Sequence, residues 1–93
     1  MIHAVVTLTI TDQETFDAYA AQAGAALAKY GASPVAMSKA PTRIEGDGPV
    51  PTRIVVLAFP DRAAAMGWIE DPDLAEVHAL RQNSGACDIY LLD

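Results

Sequence analysis

His78 and Arg81 stand three residues apart, a spacing that sets both on one face of a helix beside Val77. A guanidinium there could hold a carboxylate through two parallel hydrogen bonds, and an imidazole could move a proton near neutral pH. The pair is therefore the candidate catalytic group, with Arg81 also a ligand anchor. The alternative is structural: Arg81 paired with a local acid such as Glu76 or Asp88, and His78 half exposed. Trp68, the sole tryptophan, and Tyr19 are the candidate ligand-binding residues. An indole covers a flat organic molecule, and a phenol on an apolar helix stripe brings its hydroxyl to a rim. Core packing is the commoner use of both, and the same holds for Tyr30.

Other groups carry less. Glu45 and Arg53 flank a loop and are expected to pair across adjacent strands, a catalytic Glu45 being the second reading. Arg43 shares the face of Glu45 and could complete that pair or bind an anion. His3 reads as a polar position on a partly open sheet, and Cys87, with no basic neighbour in sequence, as a buried inert thiol. No metal and no cofactor is expected. The two histidines are far apart, no H-E-x-x-H spacing occurs, and no glycine-rich loop follows a strand as a phosphate or dinucleotide site requires. Ser33, Ser38 and Ser84 lie in no nucleophile context.

The elements that position these groups can be read in order. Ile2, Ala4, Val6, Leu8 and Ile10 alternate with His3, Val5, Thr7 and Thr9, which is a strand. Thr11 to Glu14 match a capping box. In the helix that follows, Phe16, Tyr19, Ala20, Ala23, Leu27 and Tyr30 form one apolar stripe, closed by Gly31 in the left-handed region. Val35 to Glu45 reads as a second strand, placed at an edge by Pro41. A loop dense in glycine and proline leads to Ile54–Phe59, an apolar run suited to a strand buried on both faces. Pro60 ends that run, and Asp61 caps a second helix through Ala63–Met66. Asp71 with Pro72 starts a short helix presenting Leu74, Val77, His78 and Arg81 on one side. Ala86–Leu92 alternates as a last strand.

Composition narrows the partners. Twelve acids against six Lys and Arg give a formal charge of −6, and the basic residues are scattered, so nucleic acid is not an expected partner. No apolar run approaches the roughly 18 residues of a membrane span, and no signal peptide is visible. One cysteine fits a reducing cytoplasm and excludes an internal disulfide.

The order is β, α, β, β, α with a short extra helix, β, within a single domain, 1–93. This is an α+β, ferredoxin-like βαββαβ arrangement: a four-stranded antiparallel sheet with helices on one face and the first and third strands central. The uncovered face would expose Val and Leu side chains over an area too large for a monomer. A homodimer packed through that face is expected, with Val55→Asp as the substitution that disrupts it.

Tyr30-Gly31, Glu45-Gly46, Arg53 before a branched strand ending Phe59-Pro60, then Ala65, Trp68, Asp71-Pro72 and Arg81, resemble in order and spacing the domain of unknown function 1330 family, over nearly the whole chain. The resemblance implies a dimeric α/β barrel, in a superfamily that includes cofactor-independent monooxygenases, muconolactone-type isomerases and haem-dependent enzymes. The end departs from the pattern: Asn83 to Cys87 and Leu92-Asp93 replace the usual basic tail, so no C-terminal site is carried over. Two functions follow. One is a cofactor-free enzyme or binding protein taking a small aromatic or carboxylated metabolite between helices and sheet, in a pocket lined by Trp68, His78, Arg81 and Tyr19. The other is a non-catalytic homodimeric module.

Overall fold

A computed structural model describes residues 1–93. The elements are β1 (Ile2–Ile10), α1 (Gln13–Ala28), β2 (Ser33–Ser38), β3 (Arg53–Phe59), α2 (Arg62–Glu70), a 3-10 turn (Pro72–Leu74), α3 (Ala75–Asn83) and β4 (Gly85–Leu92). All pairings are antiparallel and the sheet order is β2-β3-β1-β4, an α+β ferredoxin-like fold with β1 and β3 central. No helix is long and apolar enough to cross a membrane.

Strand alternation decides what faces the helices. Ala4, Val6 and Leu8 of β1, Leu57 and Phe59 of β3 and the half-buried Cys87, Ile89 and Leu91 of β4 form that face with Trp68, Leu74 and Val77 above them. Register places Val5, Val56 and Ala36 side by side on the opposite face, with Tyr90 of β4 beside Val5. Nothing in the chain covers that face, and Tyr90 and Leu92 are well exposed there. Val55 lies on the helix face and its neighbours Ile54 and Val56 on the open one, so the substitution that probes the open face is at 56 rather than 55. The strand expected to be buried on both faces is only half-buried from Arg53 to Val56.

Two local expectations are corrected. The second strand runs over Ser33–Ser38, not Val35–Glu45, so Pro41 lies in the loop that follows. Pro34 is the proline within it, beside a register shift between Pro34 and Ala36 on the edge strand, where a missing N–H leaves no ladder bond unmade. The cap of α1 is Asp12 rather than Thr11. Its carboxylate accepts from the Thr15 amide at 3.1 Å and the Thr15 hydroxyl at 2.7 Å, which holds its carboxyl below the usual range. The capping box fails because the Thr11 amide, which Glu14 would have to reach, already donates to the Ser84 carbonyl at 2.8 Å. The other caps agree with the sequence: Asp61 accepts from Ala64, Asp71 from Asp73, and Gly31 has φ +68°.

Candidate functional site

The apolar stripe of α1 is fully buried only near its two ends. Phe16 and Leu27 are buried, Tyr19 and Ala23 are half-buried, and Ala20 is exposed. α1 packs against α3, and a space is left between the middle of the helix and the sheet. The gap is a cavity of about 230 Å³, roofed by Tyr19, Ala23 and Leu27 and floored by Val6, Leu8, Val55 and Leu57. A cavity of about 150 Å³ holds benzene, so this one has room for one ring with substituents. Its walls are apolar apart from the Tyr19 hydroxyl and two arginines, Arg53 and Arg81, and no acid lines it.

Arg81 is only 2% exposed. Its guanidinium carbon lies 5.6 Å from the Tyr19 ring centre and 5.2 Å from that of Trp68. One Nη donates to His78 Nδ1 at 2.8 Å, while its Nε is buried without a partner in the chain. The ion pairs of the protein are made by Lys29 and Arg62 instead, so neither Glu76 nor Asp88 neutralises Arg81. Aromatic faces return about 0.5–2 kcal/mol each to a cation, against a burial cost of several kcal/mol for an unpaired charge. The remaining imbalance favours an anion.

His78 is buried and lines neither this cavity nor the second one. Because a guanidinium only donates, Nδ1 must be the acceptor, and Nε2–H therefore donates to the Trp68 carbonyl at 2.8 Å. The ring stands edge-on to the Trp68 indole, 4.6 Å between centres. Burial lowers its pKa, the Arg81 charge adds to that, and the Trp68 carbonyl opposes it. The geometry thus joins His78 to Arg81 and to the Trp68 carbonyl rather than to either cavity.

Trp68 sits on the far side of this cluster. It lines a second, wholly apolar cavity of about 170 Å³ with Ala4, Phe59, Ile69 and Leu91, and its indole N–H is buried without a partner. Of the four residues singled out for a pocket, Tyr19 and Arg81 thus share one cavity, Trp68 borders another, and His78 lies behind Arg81.

Arg53 is the residue that reading by sequence placed elsewhere. It does not pair with Glu45, which is exposed in the 39–52 loop with Arg43. Its guanidinium lies over the Phe16 ring at 4.5 Å, and its Nε is buried and unpartnered. The signal was present in the alternation: Arg53 falls on the same face of β3 as Val55 and Leu57. Tyr30, by contrast, is structural. Its hydroxyl donates to Asp71 at 2.7 Å beside the Lys29 ammonium at 2.6 Å. The bonds from Lys29, Tyr30 and the Asp73 amide hold the Asp71 carboxyl down at about 2. Cys87 is half-buried, and burial raises its thiol pKa although the Arg81 charge opposes the shift. His3 is exposed on the open face.

The model for the domain of unknown function (DUF1330) matches residues 2–93. No curated protein matches the chain. Among solved structures, a protein of unknown function from Rhodopseudomonas palustris has a TM-score of 0.83 at 18% identity, over 98% of this chain and 79% of that one. A dimeric ferredoxin-like protein of unknown function from Jannaschia sp. CCS1 has a TM-score of 0.71 at 14% identity, over 99% and 97%. SnoaB, a cofactor-independent oxygenase from Streptomyces nogalater, has a TM-score of 0.68 at 15% identity, over 99% and 90%. These likenesses concern the fold.

Proposed function

We propose that this chain, which belongs to the DUF1330 family, binds a small aromatic or carboxylated metabolite in the cavity beneath α1 and does so as one subunit of a homodimer. The observation that carries the reading is Arg81: a guanidinium 2% exposed, with no carboxylate partner, on the wall of an apolar cavity of about 230 Å³. Tyr19 supplies the one hydroxyl that can bond the same ligand. His78 serves the site by fixing the direction of Arg81.

A cation held beside an apolar pocket also stabilises an enolate or carbanion formed there. That is the basis for extending the reading to monooxygenase- or isomerase-like chemistry without a cofactor, and the name of SnoaB is in keeping with it. No general base lines the cavity, so binding is the better supported half. The homodimer draws on the open sheet face and on the dimeric neighbour from Jannaschia. A purely structural homodimeric module would use the same face but would leave a buried, unpaired Arg81 without a role.

Calorimetric titration with benzoate and phenylacetate tests the site. The wild-type protein is expected to bind at least one of them, and Arg81→Met to weaken it by about tenfold or more, the loss of a charged hydrogen bond. A wild-type protein indifferent to both, or an Arg81→Met protein that binds as well, would sink the assignment.

A further inference from the structure

We infer that the ligand is a dianion, a short or single-ring dicarboxylate, and that Arg53 binds its second carboxylate. The inference rests on the proposed function, since it takes the cavity beneath α1 as the binding site.

Arg53 and Arg81 are the two charged groups on the cavity wall, and both keep a buried Nε without a partner. Neither has an acid in ion-pair reach, although the chain carries twelve Asp and Glu. Two like charges facing one apolar space repel each other, and only negative charge inside that space relieves both. One carboxylate could serve two arginines if they converged on a point, but these are arranged as separate stations. Arg53 rests on Phe16 and Arg81 on Tyr19, rings one turn apart on α1 with centres 5.7 Å apart. Arg53 enters the cavity wall from β3 and Arg81 from α3, so the two cations reach it from different elements. Apolar residues line the space between them, which suits a ring or short carbon chain with a carboxylate at each side.

Matched acids make the test: hexanoate against adipate, and benzoate against isophthalate, by calorimetry on the wild-type protein and on Arg53→Gln and Arg53→Lys. The expected result is that each dicarboxylate binds about tenfold or more tightly than its monocarboxylate partner. Arg53→Gln, shown folded by circular dichroism, should lower dicarboxylate affinity about tenfold more than monocarboxylate affinity and so remove the preference, while Arg53→Lys retains part of it. Equal binding of both members of each pair, or a preference that survives Arg53→Gln, overturns the dianion while leaving a carboxylate site in place. Failure of all four acids to bind the wild-type protein overturns both the dianion and the site.

Discussion

His78 links the site to pH through its position. Burial lowers its folded pKa below the ordinary value near 6.5, so the folded protein takes up this proton less readily than the unfolded chain. Stability is then complete above about pH 6.5 and declines as the pH falls through the window below it. His78→Gln removes the linkage, so its Tm should change less than the wild-type Tm between pH 7 and pH 5. A Tm slope identical in the two proteins would contradict the buried, neutral imidazole. Protonation would also turn Nδ1 into a donor facing the Arg81 donor, so Arg81 loses its aim. At this scale the sequence showed a good deal: the i, i+3 spacing brings His78 and Arg81 into contact, and the α1 stripe brings Tyr19 to the same guanidinium. It could not show which of them reaches the cavity. That depends on the Trp68 carbonyl, ten residues away, being in place to take the Nε2 proton.

The elements were legible wherever local chemistry decides them. β1, β3 and β4 follow from alternation or β-branched runs, and the Asp61 and Asp71 caps from their side chains. A tertiary bond decided the start of α1, where the Ser84 carbonyl displaces the capping box, and β2 carries a register shift at Pro34 that periodicity does not report. The standing-off of α1 was not legible, because helical periodicity reports which residues share a face and not how far that face lies from the sheet. Gly67 of α2 is a further case. A Cβ there would lie 2.8 Å from Tyr30 Cε1, and Tyr30 is tied to Asp71. A helical Gly→Ala change ordinarily stabilises by about 0.5–1 kcal/mol. Gly67→Ala should instead destabilise by about 1–3 kcal/mol through overpacking, whereas Gly24→Ala, with no atom within 4 Å of its Cβ, should show the ordinary gain. Urea unfolding midpoints check the pair, and a stabilised Gly67→Ala would show that α2 and the end of α1 pack loosely.

Across the whole molecule only 18 residues are buried, which leaves a thin core and a sheet face of Val5, Ile54, Val56 and Tyr90 without cover. Light scattering coupled to gel filtration should find the wild-type protein dimeric and Val56→Asp monomeric with an unchanged far-ultraviolet spectrum; a Val56→Asp dimer would move the interface elsewhere. Val55→Asp would place its charge in the cavity beneath α1 instead. A dimer built on that face leaves α1 outermost. At its start, α1 is joined to the Ser84 carbonyl through the Thr11 and Asp12 amides, and at its end to Asp71 through Lys29 and Tyr30. Between these joints Ala20 and Gly24 rest on little but the cavity. Mechanically it is a beam clamped at both ends over a gap. The gap beneath it is partly open to solvent along Ala20, Gly24 and Met37, so a solute can enter and leave while both joints hold and no part of the protein unfolds.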